Sequence, residues 1–502
     1  MAWLPALTIA AGGLGATQAM AHGTGERYDL PLPLGYYVFG SALVVAVSFL
    51  VTAAFVYRAP SADRHPHLDV LHLRDGRGSL LRVLEGLLQI GGVLVLVATI
   101  AAGLFGNQHP AKNLAPTLVW VAWWVGFGLF IALVANIWPP LNPWNTLACW
   151  ARWDASQALC PYPKWLAEWP AVGTLLAFVW IELVTPYASS PCALASLALA
   201  YTLATLAAMR IYGREVWLAN GEAFTLLFGL LGRFAPLALV PTSRAAIVRN
   251  GVGSRTLILR LPGSGLLGAE IGSNAVVAFL LLMLAAVLFD GLLGTVFWRA
   301  IERWLPGDDQ GTIAAAGGLA GIWLLFLGAY LGACAAMSAM TARHTSVSKQ
   351  SHSYALSLVP IAIGYAIAHN FSYLLVQSQT LAALASDPLG LGWNLFGTAG
   401  FEPNVGLVDA RTTWRIAVAA IVMGHVVSMV IAHLIALRIE PTRHSALRSL
   451  VPLTLLMVAY TAMSLSIIAD PLVRFRVPDP DYSKPKGPNY QAERIAGATY
   501  DN

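Results

Sequence analysis

The sequence predicts an all-α, polytopic transmembrane helix bundle, and its composition gives the first two reasons. Hydrophobic residues make up 57% of the 502 residues and charged residues only 11%, whereas a typical soluble domain carries about 25% charged residues. The chain also contains 17 Trp, 16 Tyr and 45 Gly, which is typical of membrane helices with aromatic belts. This composition excludes a soluble enzyme, a disordered regulator and a nucleic-acid-binding protein.

The third reason is a series of ten apolar stretches, each about as long as the roughly 20 residues that a membrane helix needs. A further stretch, 222–242, is apolar but contains Glu222, Arg233 and Pro236, so we interpret it as a re-entrant or interfacial segment. The ten predicted spans are 34–57, 83–106, 117–138, 170–187, 192–213, 275–299, 313–341, 354–377, 414–437 and 450–469.

The distribution of basic residues predicts the orientation of the bundle. Loop 58–82 contains five arginines, and the positive-inside rule places such a loop in the cytoplasm. If 222–242 does not cross the membrane, the later basic loops lie on that same side. We therefore expect a multi-pass protein of the bacterial inner (cytoplasmic) membrane, with the mature N-terminus, the long loop 378–413 and the C-terminal tail on the periplasmic side.

The two ends of the chain differ from the bundle. Ala19-Met20-Ala21 has the small-x-small form of a signal-peptidase site, so we predict a signal peptide over 1–21, with an uncleaved short anchor as the alternative. The transmembrane helical domain then covers 22–471. The tail, 472–502, is rich in Pro and charged residues, a composition typical of mobile segments.

Five ionisable residues stand out inside the predicted spans, where a charge is costly and is therefore a candidate for function. At about 1.5 Å per residue, Asp290 and His369 lie roughly 12 Å from the predicted outer ends of their helices, and His425 lies roughly 16 Å from its own. Glu182 is shallower, at about 8 Å, and His433 lies near the inner surface, roughly 28 Å down. Three residues on three helices are thus expected at a similar depth.

Two imidazoles and one carboxylate are a ligand set for a metal centre. Zinc accepts such ligands in an open tetrahedral site with water in the last position, and the bound water loses a proton near neutral pH. We therefore predict that Asp290, His369 and His425 bind a divalent metal ion, with zinc as the candidate. Glu182 is predicted to act as a base or as a fourth ligand.

Other interpretations of these residues stay open. Each histidine is also explained as a hydrogen-bond partner between helices, and Glu182 as a side chain that extends to the surface. His425, Met429 and His433 follow one another at four-residue spacing along one helical face, which suits Cu(I) or simple packing. A haem held by His369 and His425 is a further alternative.

Several motifs are distributed over most of the chain, and with them the chain resembles a family of bacterial polytopic membrane proteins described as fenitrothion hydrolases. The motifs are Ala21-His-Gly-Thr-Gly-Glu-Arg-Tyr-Asp-Leu-Pro-Leu-Pro-Leu34, Gly106-Asn-Gln-His-Pro110, Asn136-Ile-Trp-Pro-Pro-Leu-Asn-Pro-Trp144, Gly221-Glu-Ala-Phe224, Phe228-Gly-Leu-Leu-Gly-Arg-Phe-Ala-Pro236, Phe289-Asp-Gly291, Val359-Pro-Ile-Ala-Ile-Gly-Tyr-Ala-Ile-Ala-His369 and Gly392-Trp-Asn-Leu-Phe-Gly397.

The resemblance implies an aryldialkylphosphatase-type hydrolase that cleaves the phosphorus–aryloxy bond of organophosphate triesters. It implies no particular catalytic residues, so the predicted site rests on the residues above. Such triesters are neutral and lipophilic, so the expected partners are the lipid bilayer and a lipophilic small molecule, and no nucleic acid; nothing in the sequence indicates an oligomeric state. Loop 378–413, rich in Gly and aromatic residues, is interpreted as an apolar lid or as an interfacial connector.

The same buried Asp and His residues suit a second class of function. Intramembrane ionisable groups also bind protons or metal ions in transit, so a proton- or metal-handling transporter or accessory protein is the alternative. A haem or copper electron carrier is the third hypothesis.

Overall fold

The structure, a computed structural model, describes residues 28–57, 67–73, 78–153, 158–241, 255–268, 271–304, 311–341 and 345–474. Within these residues, nine helices are long and apolar enough to cross a membrane, and a tenth is apolar but shorter. The predicted all-α, polytopic bundle of about ten spans is confirmed. The spans are span 1 Leu34–Phe55, span 2 Gly78–Phe105, span 3 Leu114–Leu133, span 4 Trp169–Val184, span 5 Pro191–Tyr212, span 6 Asn274–Leu293, span 7 Thr312–Met340, span 8 Val347–Gln377, span 9 Ala410–Ile439 and span 10 Arg443–Leu472.

Shorter helices connect the spans. Two spans are also irregular: span 3 is a π-helix over Thr117–Phe127, and span 8 passes through a 3-10 turn at Ala355–Leu358. Pro360 follows that turn, where its missing N–H would leave an α-helix short of a hydrogen bond. The connecting helices are Trp138–Leu141, Pro143–Trp150, Arg214–Asn220, Ala223–Gly232, Val296–Arg303 and Thr380–Ser386, with 3-10 turns at Pro110–Lys112, Lys164–Leu166, Pro186–Ser189 and Ser264–Leu266.

The two ends of the described chain pair with each other. Strand β1, Tyr28–Asp29, precedes span 1 and pairs in parallel with strand β5, Val473–Arg474, after span 10. Paired ends lie on one side of the membrane, so the number of crossings between them is even. The nine longer spans in the described residues would alone give an odd number. The short span 4 is therefore the tenth crossing, and its 16 residues cover about 24 Å. We name this face of the bundle the terminal side.

A three-stranded antiparallel sheet lies on the opposite face, which we name the sheet side. Strand β4, Arg255–Arg260, is central, with β2, His67–Leu73, on one edge and β3, Leu237–Pro241, on the other. The strands belong to loops that were predicted without strands. Their pairing places the loop after span 1 and the loop before span 6 on the same side, which requires an even number of crossings between them.

The segment 222–242 stays on the sheet side, as the re-entrant interpretation predicts. Its helix, Ala223–Gly232, has ten residues and covers about 15 Å, half of the roughly 30 Å hydrocarbon thickness. Leu237 then forms a β-bridge with Ala135, just beyond the end of span 3. The even number of crossings between β2 and β4 is therefore made by spans 2, 3, 4 and 5. The helix Ala223–Gly232 does not cross, and the chain leaves it on the side from which it entered.

One predicted span was wrong in its extent, and the difference matters for the site. The stretch 275–299 is two helices, because span 6 ends at Leu293 and Val296–Arg303 follows. Thr295 ends the first helix and begins the second, since its hydroxyl accepts a hydrogen bond of 3.1 Å from the backbone N–H of Trp298. Spans 9 and 10 also begin earlier than predicted, at Ala410 and Arg443.

Span 6 is the centre of the bundle. Its most apolar 18-residue stretch has a mean hydropathy of 2.7 and is 83% buried, and both values are the highest among the spans. A helix that is apolar on all sides buries all sides, and spans 4, 7, 8 and 10 pack around it. A polar residue on span 6 therefore lies where several helices meet.

Spans 8 and 9 cross at glycines. A Cβ atom at Gly364 would lie 2.5 Å from the Ala420 carbonyl oxygen, and one at Gly424 would lie 2.6 Å from that of Pro360. Small residues let membrane helices approach this closely. This crossing fixes span 9 against the helix that carries His369.

Candidate functional site

Asp290 on span 6 and His369 on span 8 form an imidazole–carboxylate pair. The Nε2 atom of His369 lies 2.8 Å from Oδ2 of Asp290, within the range of a charge-assisted hydrogen bond. The His369 side chain is 6% exposed and that of Asp290 is 35% exposed. The carboxylate is therefore the accessible member, and the imidazole is held behind it.

The two residues meet although they differ in depth along their own helices. Asp290 is three residues from the end of span 6 at Leu293, about 4.5 Å, whereas His369 is about 12 Å from the end of span 8 at Gln377. The equal-depth argument was wrong because it placed the end of the Asp290 helix at 299. The contact forms because span 8 extends farther on the terminal side than span 6.

Glu182 on span 4 is the second carboxylate of this region. It lies two residues before the end of span 4 at Val184, and span 4 packs against span 6. Glu182 interacts electrostatically with Asp290, and the indole of Trp124 lies beside it. Two neighbouring carboxylates repel each other unless a proton or a cation lies between them. We call Glu182, Asp290 and His369 the terminal-side cluster.

The wall beside Glu182 is aromatic and comes from the π-helix of span 3. Trp124 packs on Phe178, with ring centroids 4.8 Å apart at 64°, and Phe178 is one turn before Glu182 on span 4. π-Helical segments are frequent at functional sites because their wider turns displace side chains. This segment also contacts span 8, so it borders the cluster on two sides.

Two tyrosines on span 8 flank His369, at four residues before and four residues after it. Tyr373 interacts electrostatically with Glu182 and Asp290, and the Tyr365 ring lies 6.2 Å from the His369 imidazole at 23°. Sequence reasoning missed both tyrosines. The signal was present, because positions i, i+4 and i+8 share one face of a helix.

Gly291 lets the Tyr365 hydroxyl reach the backbone beside Asp290. A Cβ atom at Gly291 would lie 2.3 Å from that hydroxyl and 3.1 Å from Ile467 on span 10. A side chain at this position would therefore displace Tyr365. The helix of span 6 continues past Gly291 to Leu293, so the glycine does not end the helix and instead allows this close approach.

His425 does not join the predicted set of three ligands in this arrangement. It is 1% exposed and lies at the middle of span 9, where its Nδ1 is 2.8 Å from the Ile421 carbonyl oxygen. Its ring packs 5.5 Å from that of Tyr460 on span 10. The structure thus brings Asp290 and His369 into contact, with Glu182 near enough to interact electrostatically with Asp290. It gives His425 a different neighbourhood, because span 9 presents it to span 10.

The other members of the His425 stripe also have separate neighbours. The Met429 sulfur accepts a hydrogen bond of 3.7 Å from the Thr454 hydroxyl. The Nε2 atom of His433 lies 3.2 Å from the Val56 carbonyl oxygen at the end of span 1. Their shared helical face is used for packing against spans 1 and 10.

The donor set of the terminal-side cluster is two carboxylates and one imidazole. These are the residue types that bind divalent metal ions. In the part of the chain that the structure describes, no group of three or more His, Cys, Asp or Glu side chains has a ready-made metal-binding arrangement. The Asp290–His369 contact supplies two adjacent donors, and the Glu182 carboxylate interacts electrostatically with Asp290.

Two cavities lie away from the cluster. One of about 220 Å³ is almost wholly apolar and lies between spans 6, 7, 8 and 10, with Leu284, Ile361 and Tyr460 among its lining residues. Leu284 is six residues before Asp290 on span 6, about 9 Å. A larger one, of about 720 Å³, opens on the sheet side beside Glu168, at the opposite end of span 4 from Glu182.

The loop 378–413 packs on the turn between spans 2 and 3. The backbone N–H of Asn107 donates a hydrogen bond of 2.7 Å to the Leu389 carbonyl oxygen, and a Cβ atom at Gly390 would lie 2.4 Å from the Lys112 carbonyl oxygen. Large apolar side chains, among them Phe396, are exposed along this loop. It therefore presents an apolar surface on the terminal side, as both interpretations of this loop expect.

A second buried carboxylate, Glu222, belongs to the helix Ala223–Gly232 and is fully buried. It accepts hydrogen bonds from the backbone N–H groups of Phe224 and Thr225, at 2.9 and 2.7 Å, and from the Tyr201 hydroxyl at 2.5 Å. The Thr225 hydroxyl donates to it as well. Glu222 is thus a helix cap whose hydrogen-bonding capacity is occupied.

Comparison of the chain with protein-family models, with curated proteins and with solved structures gave no match.

Proposed function

We propose that the chain is an integral membrane hydrolase that cleaves the phosphorus–aryloxy bond of organophosphate triesters such as fenitrothion, with the terminal-side cluster as its reaction centre. The observation that carries this proposal is the 2.8 Å contact between His369 and Asp290 with Glu182 beside it. The resemblance of the sequence motifs to the fenitrothion hydrolase family supports the substrate class.

The position of the cluster suits a lipophilic substrate. Asp290 and Glu182 lie near the ends of their spans and Asp290 is one-third exposed, so a neutral triester dissolved in the bilayer reaches them without crossing the bundle. The basic loops on the sheet side favour a cytoplasmic location for that side. The cluster would then open toward the periplasm of a bacterial inner-membrane protein.

Each member of the cluster has a chemical role in this proposal. A divalent metal ion, with zinc as the candidate, would take the Asp290 carboxylate and the His369 imidazole as ligands; such an ion polarises the phosphoryl or thiophosphoryl group and acidifies water. Glu182 is left as the base. His425 has no direct role, because its neighbours are Ile421 and Tyr460.

The reaction needs a base and a positioned water. Glu182 takes one proton from the water whose oxygen attacks phosphorus, while the phosphorus–aryloxy bond breaks and the aryloxide leaves. A nitrophenol-type aryloxide is a good leaving group, so no strong general acid is required. General-base catalysis by a positioned carboxylate contributes about 10²- to 10⁴-fold.

The test is release of nitrophenol from a triester by the purified full-length chain in detergent. We expect Asp290→Asn, His369→Gln and Glu182→Gln each to lower the rate by about 100-fold or more, and elemental analysis to show metal in the wild type and less in Asp290→Asn. Glu215→Gln and His352→Gln, both away from the cluster, are the matched controls. Activity that survives in all three cluster variants would rule the proposal out.

One observation favours the second candidate, a proton- or metal-handling membrane protein. Polar side chains continue from His369 toward the middle of the bundle, through Tyr365 and Tyr460 to His425. A hydrolase at the terminal side has no need of them, whereas a transport route does. Uptake of ⁶⁵Zn²⁺ or of protons into proteoliposomes, abolished by Asp290→Asn in the absence of any triester hydrolysis, would favour this function instead.

A further inference from the structure

A group of buried polar atoms lies inward of the terminal-side cluster. The hydroxyls of Tyr365, Tyr460 and Ser464 and the Nε2 atom of His425 are all buried, and in the described structure none of them has a hydrogen-bond partner outside this group; the Tyr460 and Ser464 hydroxyls lie close enough to bond each other. A buried polar atom that lacks a hydrogen-bond partner is destabilising. Proteins satisfy most buried polar atoms with protein groups or ordered water, so four of them require an explanation.

The four atoms belong to one neighbourhood. The rings of His425 and Tyr460 lie 5.5 Å apart, and Tyr460 and Ser464 are one turn apart on span 10 with neighbouring hydroxyls. The Tyr365 hydroxyl lies at the point where Gly291 meets Ile467, and Ile467 is one turn beyond Ser464. Spans 8, 9 and 10 therefore direct these polar atoms toward a common interior region.

The hydrogen-bonding roles of the group are complementary to water. The Nδ1 atom of His425 faces a carbonyl oxygen, which only accepts, so Nδ1 carries the proton and Nε2 of the neutral ring is an acceptor. Each of the three hydroxyls can donate one hydrogen bond and accept others. One imidazole acceptor and three hydroxyls thus match the two donors and two acceptors of each water molecule.

We propose that Tyr365, Tyr460, Ser464 and His425 form an internal water-binding site in the middle of the bundle. Through Tyr365, whose ring packs on His369, this site adjoins the terminal-side cluster. Buried waters of this kind usually make about three hydrogen bonds each. The proposal goes beyond the hydrolase function and does not depend on it.

Tyr330 provides a matched internal control. It is as buried as Tyr365, at 1% exposure for each, and it lines the same apolar cavity as Tyr460. Its hydroxyl is satisfied by the Ser351 carbonyl oxygen at 2.8 Å. A tyrosine at the proposed water site and a tyrosine whose hydroxyl is already satisfied by the protein can therefore be compared within one molecule.

The experiment is millisecond X-ray radiolysis of the full-length chain in lipid nanodiscs, with oxidised tyrosines quantified by mass spectrometry. Bound internal water yields hydroxyl radicals in place, so we expect Tyr365 and Tyr460 to be oxidised severalfold faster than Tyr330. In His425→Leu, which removes the acceptor and fills the space, the Tyr460 rate should fall toward that of Tyr330. Tyr365 and Tyr460 rates equal to that of Tyr330 in the wild type would overturn the proposal, whether or not the variant folds.

Discussion

Glu222 and Asp290 are both carboxylates within an apolar bundle, and their surroundings differ in kind. Glu222 receives two backbone N–H groups and two hydroxyls and is fully buried. Asp290 faces the imidazole of His369 and the neighbouring carboxylate of Glu182, and it remains one-third exposed. One carboxylate is enclosed by hydrogen-bond donors, most of them from the helix that it caps, and the other meets an imidazole and a second carboxylate from two other helices.

This difference separates a structural carboxylate from a candidate functional one. Hydrogen bonds from backbone N–H groups at a helix N-terminus stabilise the carboxylate charge and the first turn of the helix at the same time. An imidazole and a second carboxylate instead leave a proton or a cation free to move between partners. Burial alone therefore does not identify a site, whereas the chemical type of the neighbours does.

The largest effect is expected from Glu222→Ala. The substitution leaves the Tyr201 hydroxyl and the donors of Phe224 and Thr225 buried without their acceptor, at about 1–3 kcal/mol each. We expect a loss of at least about 3 kcal/mol in the free energy of unfolding, measured by thermal unfolding in detergent. Glu215→Ala, on the exposed neighbouring helix, is the control and should be nearly neutral. An unchanged melting temperature for Glu222→Ala would contradict its structural role.

The opposite pattern is expected from Asp290→Asn. The amide is isosteric and still faces His369, so the melting temperature should fall much less than in Glu222→Ala. Hydrolysis, or transport if that is the activity, should fall by about 100-fold or more. The double variant Asp290→Asn/His369→Gln should be little worse than either single change, because paired residues act as a unit. Additive losses would show that the two side chains act independently.

A smaller effect is expected from Gly291→Ala, which alters the neighbour of Asp290 rather than Asp290 itself. The new methyl group must displace the Tyr365 hydroxyl, which lies 2.3 Å from its position, and such overpacking costs about 1–3 kcal/mol. Gly328→Ala on span 7 is the matched control, because its Cβ meets nothing within 4 Å; it should be neutral or stabilising. Equal melting temperatures for the two variants would mean that Tyr365 does not need the space at Gly291.

The sequence predicted the bundle well because apolar length is a local property. It also predicted that Asp290 and His369 meet, but it placed the end of the Asp290 helix too late in the sequence. Thr295 begins a new helix, which hydropathy does not distinguish from span 6. The neighbourhood of His425 depends on how span 9 is rotated against span 8 where Gly424 meets Gly364. This rotation is set by the packing of the two helices and not by the local sequence. The sheet was not predicted because strand β2 comes from a loop that is distant in sequence from β3 and β4.

The smallest effect is expected at a third carboxylate, Asp387, in the loop on the terminal side. Slight burial would raise its pKa, but hydrogen bonds from the backbone N–H groups of Leu391 and Gly392, at 2.9 and 2.8 Å, outweigh it and lower the pKa of Asp387. A lowered pKa contributes stability above the ordinary value of about 3.9 that is lost as the pH falls through the folded value.

Asp387 has backbone donors, as Glu222 does, but water surrounds it. We therefore expect Asp387→Asn to leave the global melting temperature at pH 7 unchanged within about 0.5 kcal/mol and to raise amide hydrogen exchange only at Leu391 and Gly392. The wild-type loop should show the same faster exchange only once the pH falls through the lowered folded pKa of Asp387, below its ordinary value of about 3.9. If Asp387→Asn destabilised the whole bundle as much as Glu222→Ala does, burial would not be what makes Glu222 important for stability. The structural role of Glu222 would then have to rest on its backbone hydrogen bonds alone.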